Sequence, residues 1–237
     1  MPLQTVAPQR LYQQIADQLH TLITAGEFTA GSRLPAERDL AKQLGVSRPS
    51  VREALIALEV EGWVEVRTGS GVYVQDRSTT AARGNPITVN EWGPLELIRA
   101  RRVLDGEIAS LAATMAKRKD IAAMRLALAD MVRDADAGTL PIEGDRAFHS
   151  AIVQSTGNTV LIETIHGFWD SRRGPLFERL GGYFETVASW RSAIAEHTAI
   201  LDAIVAHDAP GARAAMHAHM DKSHTRFSAS WRRAKAS

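Results

Sequence analysis

The first third of the chain carries apolar residues at helical spacing in three blocks, and a glycine follows each block. The blocks cover residues 11–25, 36–44 and 48–61, which predicts three helices. Pro35 suits the first turn of the second helix, and Ser47 is a typical N-cap for the third.

Two short runs of β-type residues follow at 63–66 and 72–74, and a glycine-containing loop separates them. This pattern predicts an antiparallel hairpin. Three helices followed by a hairpin are typical of a winged helix-turn-helix domain, which we place at residues 8–75.

The remaining two thirds of the chain have no strand-like alternation. Residues 76–93 lose the helical period and are rich in Ser, Thr, Gly and Asn, so we interpret them as a linker. Residues 94–231 keep a helical period throughout, which predicts an all-α bundle and a mainly α fold class. The predicted helices of this bundle are 95–117, 119–137, 143–156, 158–180, 185–207 and 209–231.

The composition is typical of a globular protein, and it narrows the chemistry. The 237 residues are 45% hydrophobic and 23% charged, which excludes disordered and fibrous classes. Cysteine is absent, so disulfides, thiolate metal sites and a cysteine nucleophile are excluded. The chain begins without an apolar signal segment and contains no run of the roughly 20 apolar residues that a membrane span needs. We therefore expect a cytoplasmic protein with no membrane partner.

The start of the third predicted helix carries a candidate DNA-reading surface. In a helix-turn-helix, the second helix of the motif enters the major groove and its first residues contact bases. Arg48 and Arg52 are four residues apart on one helical face, and arginine reads guanine by a bidentate hydrogen bond. The hydroxyls of Ser47 and Ser50 suit phosphates or base edges, and Arg38 suits the DNA backbone.

Charge alone leaves this surface open to other interpretations. Acidic and basic residues nearly balance within residues 1–75, whereas phosphate neutralisation supplies most non-specific affinity for DNA. Solvated helix charges or a protein-interaction module would fit the same balance. The element order, the arginine spacing and a glycine-rich wing tip at 69–71 together favour DNA binding.

Histidines concentrate towards the end of the chain, where seven of the eight lie in the last 90 residues. His149, His197 and His219 each continue an apolar helical stripe, and Asp145 precedes His149 by one turn. A buried imidazole needs a partner or loses its charge. One shared metal ion would satisfy all three, and a donor set of one oxygen and three nitrogens suits zinc, with nickel and manganese as alternatives. His166 is interpreted as a core or pocket-lining residue.

The N-terminal motifs resemble the DNA-binding domain of the GntR family of bacterial regulators. The runs LPAERDL at 34–40, LGVSRPSVREAL at 44–55 and GSGVYV at 69–74 carry the resemblance, which covers nearly all of residues 10–75.

This resemblance implies which residues contact DNA. The family's operator-contacting positions match Arg38, Arg48, Arg52 and Gly69. It also implies a homodimer whose two winged domains read a pseudo-palindromic, double-stranded operator.

The C-terminal motifs resemble the FCD ligand-binding domain of the FadR branch of that family. The motifs are LIRARRVLDGEIASLA at 97–112, D-x-x-x-H at 145–149, STGN at 155–158 and EHxxI at 196–200. In metal-binding members of that branch, an ion is held at positions matching Asp145, His149, His197 and His219. A small carboxylic acid completes its coordination, and an arginine matching Arg101 holds the carboxylate.

A shorter similarity narrows the implied effector. The runs GFWDSRRGPLF at 167–177 and SWR at 189–191 are similar to the hexuronate-responsive UxuR/ExuR-like group. This similarity implies a sugar-acid effector. The candidate effector contacts are then Arg101, Asn158, Trp169, Arg172 and Trp190, although both tryptophans fit a core role equally well.

These patterns predict a ligand-responsive transcriptional regulator, specifically a repressor of a sugar-acid catabolic pathway, with no catalytic residues. Three alternatives remain at this point. The effector is a different acid, such as lactate or another 2-hydroxy acid; the metal is purely structural; or the bundle is a metal-dependent hydrolase fused to a winged helix. The last alternative lacks an H-E-x-x-H motif.

Overall fold

The computed structural model describes residues 9–76 and 91–229, and in that part of the chain it contains ten helices and two strands. The elements are α1 (Leu11–Thr24), α2 (Glu37–Leu44), α3 (Arg48–Val60), β1 (Val64–Arg67), β2 (Gly71–Val74), α4 (Pro94–Met115), α5 (Arg118–Asp136), α6 (Ile142–Ser155), α7 (Thr159–Ser171), α8 (Pro175–Phe184), α9 (Val187–Val205) and α10 (Ala209–Phe227). The mainly α fold class is confirmed.

The described residues divide into two compact units. The first contains the residues up to Leu95 together with Gly174–Leu180 and the residues from Ser228 onward. The second contains Glu96–Arg173 and Gly181–Phe227. The predicted domain limits at 75 and 94 stay predictions, and most of the predicted linker, 77–90, lies outside the described residues.

The first unit has the winged helix-turn-helix arrangement that the sequence predicts. Ser47 caps α3, and its Oγ accepts a hydrogen bond from the backbone N–H of Ser50. Gly45 ends α2 with a positive φ of 66°, a conformation that glycine adopts without steric cost. In the hairpin, β1 and β2 pair antiparallel with Val64 opposite Val74.

Two glutamates of α3 are buried in the first unit and satisfy hydrogen-bond donors there. Glu53 accepts a hydrogen bond from the backbone N–H of Leu95 at 2.7 Å. Glu59 accepts one from the backbone N–H of Val66 at 2.8 Å and forms a bidentate ion pair with Arg179. These carboxylates therefore stabilise the unit instead of facing solvent.

The second unit is a helical bundle whose core comes from the apolar stripes of its helices. Met124 and Met131 of α5, Phe148 of α6 and Ile200 of α9 are essentially inaccessible to solvent. Helix α6 packs on α5, and α10 packs on α9. This packing directs the inner faces of α6, α9 and α10 into the bundle.

The prediction of one helix over 158–180 is wrong, because the structure has two helices there. Helix α7 ends at Ser171, and α8 begins at Pro175 directly after Gly174. Proline lacks an N–H and clashes with the preceding turn, so it breaks a helix interior but suits a first turn. The described residues from Pro94 to Phe227 therefore form seven helices where six were predicted.

Among the described residues, no helix is both long enough and apolar enough to cross a membrane.

Candidate metal centre and nucleic-acid interface

Three helices of the second unit bring together the four residues that the sequence nominated as metal ligands. Helix α6 supplies Asp145 and His149, α9 supplies His197, and α10 supplies His219. All four side chains are buried, and one potential ligand atom of each lies within 4.8 Å of the others. First-row metal ions bind nitrogen and oxygen ligands at about 2.0–2.2 Å, so one ion can reach the whole set with small adjustments.

Each imidazole has its Nδ1 atom beside a hydrogen-bond acceptor outside the cluster. The acceptors are Asp105 Oδ2 at 3.3 Å from His149, the Ala193 carbonyl oxygen at 2.6 Å from His197, and Glu196 Oε2 at 2.8 Å from His219. We assign the Nδ1–H tautomer to all three rings on this basis. Their Nε2 atoms then carry lone pairs.

These Nε2 atoms face one another and one carboxylate oxygen. The Nε2 atoms of His149 and His197 are 3.3 Å apart. Asp145 Oδ1 lies 2.9 Å from the Nε2 of His197 and 3.6 Å from that of His149. This buried oxygen accepts no hydrogen bond from the described residues. Converging lone pairs repel one another unless they share a cation, so the donor set fits a divalent metal ion.

The protonation states of the cluster also fit a metal. Burial lowers the pKa of His219 to about 3, and the nearby His197 adds to this effect, while Glu196 opposes it. Burial works against ionisation of Asp145, but the Arg172 guanidinium, 2.7 Å from its Oδ2, favours the ionised form, and the pKa of Asp145 is held well below the usual range. At neutral pH the pair is a neutral imidazole and an ionised carboxylate, which are the forms that bind metal ions.

A small cavity of about 40 Å³ opens beside Asp145 and His219. This volume is below the range of about 300–1,000 Å³ that is typical of small-molecule sites, so a sugar-sized ligand requires the lining side chains to move apart. Its lining combines cations, one further acid and aromatic rings: Arg101, Arg172, Arg226, Glu185, Phe184, Trp190 and Phe227. The chemistry of the wall suits an anion that also carries polar groups.

Arg172 connects the metal cluster with the rest of the cavity. Its Nη1 donates to Asp145 Oδ2 at 2.7 Å, and its Nη2 donates to Glu185 Oε1 at 2.9 Å. The two oxygens of Asp145 therefore have different partners, because Oδ1 faces the imidazoles and Oδ2 faces the guanidinium. Arg172 lies in the cavity, as expected of an effector contact.

The other two cavity arginines are held by the same acids that orient the histidines. Arg101 is buried, and its Nη2 donates to Asp105 Oδ2 at 2.7 Å. The guanidinium of Arg226 donates to both oxygens of Glu196, at 2.9 and 3.2 Å. Each acid thus links one cavity arginine to one imidazole of the cluster.

The remaining predicted effector contacts divide into three roles. Trp190 is buried and lines the cavity. Trp169 is also buried, and its ring centre lies 4.6 and 4.8 Å from the guanidinium carbons of Arg101 and Arg172. It therefore stabilises both arginines by cation–π contacts. The expectation for Asn158 needs correction, because this exposed residue lies away from the cavity lining and caps α7 by accepting two backbone hydrogen bonds.

In the first unit, several predicted DNA contacts border one groove. Arg38, Arg48 and Gly69 line it, together with Arg33, which the sequence interpretation did not nominate. The side chains of Arg38 and Arg48 are 81% and 54% exposed, so both can reach a nucleic acid. Gly69 has a positive φ of 77°, as the tight turn at the wing tip requires.

The structure places Arg52 differently from the sequence expectation. Its side chain is only 2% exposed, and it forms a bidentate ion pair with Glu37 of α2 at 2.7 and 2.8 Å. Ser50 is also buried, and its hydroxyl lies 2.8 Å from that of the exposed Ser47. In this conformation Arg52 joins α3 to α2, and Ser50 contacts the Ser47 cap of α3. Neither side chain is exposed for contact with a base. The physical reason is that the acid of the neighbouring helix neutralises Arg52.

Four acids and bases that organise the sites escaped the sequence interpretation: Asp105, Glu185, Glu196 and Arg226. Asp105 follows Arg101 by one helical turn, and this spacing was a usable signal. Glu196 directly precedes His197 in the sequence, but its side chain contacts His219 on another helix. No pattern within one helix reveals that contact.

Two protein-family models match the chain. The model described as "Bacterial regulatory proteins, gntR family" matches residues 11–74, and the model described as "FCD domain" matches residues 96–222. The second match alone covers more than half of the chain and contains all four cluster residues.

Curated relatives and a solved structure agree with these matches. The chain is 38% identical to the Uxu operon transcriptional regulator of Escherichia coli K12, over 90% of this chain and 85% of the relative. It is 36% identical to the Exu regulon transcriptional regulator of the same organism, over 92% and 85%. The structure of E. coli McbR/YncC aligns with a TM-score of 0.52 at 25% identity, covering 93% of this chain and 98% of that one.

Proposed function

The chain belongs to the GntR family of bacterial regulatory proteins and carries an FCD domain, and we propose that it represses a sugar-acid catabolic operon until a sugar acid binds beside its metal centre. Membership of this family makes the chain a transcriptional regulator, which confirms the prediction of a regulator in place of an enzyme. The effector, the metal and the direction of regulation are part of the proposal.

The observation that carries the proposal is the cavity beside the four-residue cluster. Asp145 and His219 belong both to the cluster and to the cavity wall, so a ligand in the cavity lies within reach of the metal position. A bound divalent ion, for which zinc is our first choice, would supply a Lewis-acidic centre for carboxylate oxygens. Arg172 and Arg226 add hydrogen-bond donors, and Trp190 adds an apolar surface for a sugar ring.

A hexuronate or a related sugar acid is our proposed effector class. The chain resembles the hexuronate-responsive group over residues 167–177 and 189–191, and Arg172 and Trp190 from those runs line the cavity. Lactate or another 2-hydroxy acid is the alternative effector. Such acids would also bind through a carboxylate, but they would leave most of the polar wall unused.

For the DNA contacts, we propose that Arg33, Arg38, Arg48 and the wing at Gly69 form the operator-binding surface. Their common groove and the exposure of Arg38 and Arg48 support this proposal. Arg52 acts through its ion pair with Glu37, which lies 3.8 Å from Arg48 Nη2 and so also positions that residue.

We propose that two copies form a homodimer, which a pseudo-palindromic operator requires. Helix α4 exposes an apolar stripe of Val103, Leu111 and Met115 that a second copy would cover. Val103→Glu should then produce monomers in analytical ultracentrifugation. Val160→Glu, at a residue of α7 that is 70% exposed, is the matched control and should leave the dimer intact.

The test of the proposed function measures DNA release. An operator is first selected from random duplexes, and its binding to the metal-loaded protein is followed by fluorescence anisotropy. D-glucuronate should weaken binding by roughly 5–150-fold, the usual size of an allosteric coupling. Protein treated with a chelator should bind the operator without this response.

The alternatives predict different results in the same assay. Release by L-lactate with no effect of glucuronate would replace the sugar acid with a 2-hydroxy acid. Operator binding that responds to no acid, although chelation lowers the melting temperature, would show that the metal is structural. A response that survives complete chelation would remove the metal from the proposal.

A further inference from the structure

Glu185 is an acid of the cavity wall that belongs to neither the metal cluster nor the sequence-predicted effector contacts. It lies between α8 and α9, and its side chain is 15% exposed. Burial raises its pKa, and the Arg172 guanidinium beside it opposes this effect by stabilising the ionised form. The cavity thus holds a carboxylate next to the positions proposed for an acidic effector.

The two oxygens of Glu185 have different surroundings. Oε1 accepts the hydrogen bond from Arg172, whereas Oε2 accepts none from the described residues. Oε2 lies against Gly181, where an added Cβ would come within 2.8 Å of it. The absence of a side chain at Gly181 therefore leaves room for this oxygen, and its remaining lone pairs are available to a ligand.

Glu185 is the acid of the cavity lining that a second carboxylate of a ligand would meet. The charged residues that line the cavity are Arg101, Arg172, Arg226, Asp145 and Glu185. Asp145 belongs to the four-residue cluster, and its Oδ2 already accepts a hydrogen bond from Arg172. A ligand carboxylate beside Glu185 would therefore face a like charge, whereas a ligand hydroxyl there could donate to Oε2.

We propose that Glu185 selects the effector by accepting hydroxyl hydrogen bonds from a polyhydroxylated monocarboxylic acid and by repelling the second carboxylate of a dicarboxylic acid. An ionised carboxylate accepts hydrogen bonds and donates none, so it pairs with a hydroxyl but not with another carboxylate. Opposed like charges within a site are strongly unfavourable. This inference rests on the proposed function, since it assumes that a sugar acid occupies the cavity.

The test compares D-gluconate with D-glucarate, two open-chain acids that differ only at C6, where a hydroxymethyl group is replaced by a carboxylate. Isothermal titration calorimetry on the metal-loaded full chain gives both affinities. The wild type should prefer gluconate by at least about tenfold, which is a free-energy difference that one unfavourable charge contact can supply. Glu185→Gln should reduce this preference by about tenfold, mainly through tighter glucarate binding.

Glu163→Gln is the matched control, because it makes the same chemical change at an exposed residue of α7 and should leave the preference unchanged. Circular dichroism and metal content establish that each variant is folded. If Glu185→Gln does not fold, the wild type alone decides, since glucarate affinity within about threefold of gluconate affinity would overturn the proposal.

Failure of this inference and failure of the proposed function give different results. If neither gluconate nor D-glucuronate binds the wild type, the proposed sugar-acid function is wrong. If they bind and Glu185→Gln leaves the gluconate-to-glucarate ratio unchanged, the function stands and the role of Glu185 is wrong.

Discussion

The DNA-reading surface and the metal centre were both predicted from residue pairs four apart on a helix. The members of one pair share a site in the structure, whereas the members of the other pair do not. Asp145 and His149 both point into the buried cluster. Arg48 is 54% exposed, whereas Arg52 is 2% exposed and paired with Glu37. Helical spacing places two residues on one face, but the neighbouring helix decides which of them reaches a ligand. Variants at His197, Arg52, Arg48, Glu196 and Asn158 test this contrast, in decreasing order of expected effect.

His197→Ala should remove stoichiometric metal from the protein. His197 is fully buried, and its Nε2 lies closest to Asp145 Oδ1, so its loss opens the centre of the ligand set. Elemental analysis of the purified protein measures the metal content. His166→Ala, at a half-buried histidine outside the cluster, is the control and should retain the metal. Full metal content in His197→Ala would contradict the ligand assignment.

Arg52→Ala should lower the free energy of unfolding by up to about 3–5 kcal/mol, because the buried Glu37 would lose its bidentate partner and keep only the Arg48 guanidinium at 3.8 Å. Urea denaturation measures this change. The double variant Arg52→Ala with Glu37→Ala should recover part of the loss, since it leaves no unpaired charge. A change below about 0.5 kcal/mol would indicate that Arg52 is not a structural residue.

Arg48→Ala should weaken operator binding by about 5–150-fold for each half-site, because one good base or phosphate contact is worth about 1–3 kcal/mol. Its melting temperature should stay near that of the wild type, because the side chain is more than half exposed. Anisotropy with the selected operator measures the affinity. Unchanged affinity would show that Arg48 does not contact the operator. A large loss of stability would show that Arg48, like Arg52, has a structural role.

Glu196→Gln should reduce metal affinity by about 10–100-fold while the four ligands remain present. The carboxylate of Glu196 accepts the Nδ1–H of His219 and so keeps its Nε2 available for the ion. Competition with a chromogenic chelator measures the affinity. Equal affinity in Glu196→Gln and wild type would show that the outer acids do not orient the imidazoles.

Asn158→Ala should destabilise the protein by about 1 kcal/mol through loss of the α7 cap. Its glucuronate affinity should equal that of the wild type, because Asn158 lies away from the cavity. Thermal denaturation and calorimetry measure the two quantities. A selective loss of glucuronate affinity would restore the sequence-based assignment of Asn158 to the effector site.

The sequence predicted the elements of the fold because most of their information is local. Apolar stripes and glycine stops located every helix except the division at Gly174 and Pro175. That signal was present in the sequence, but the helical period on both sides concealed it. The tight pairing of β1 and β2 followed from two β-type runs around a glycine-containing loop.

The site was only partly predictable, because its supporting contacts join different helices. The four candidate ligands lie on apolar stripes, and burial of a polar residue is visible in the periodicity. The pairing of Glu196 with His219 depends on how α9 meets α10. The pairing of Glu37 with Arg52 depends in the same way on α2 and α3. Spacing within one helix carries no information about either contact.

The buried glutamates of the first unit have a consequence for how the regulator searches a genome. Glu37 and Glu59 form internal ion pairs and Glu53 accepts a backbone hydrogen bond, so these three acids are buried while Arg33, Arg38 and Arg48 border the groove. A small set of phosphate-contacting arginines gives a shallow dependence of affinity on salt and weak attachment to arbitrary sequence. Because non-target sites vastly outnumber operators, weak attachment leaves more of the regulator free to occupy its operator.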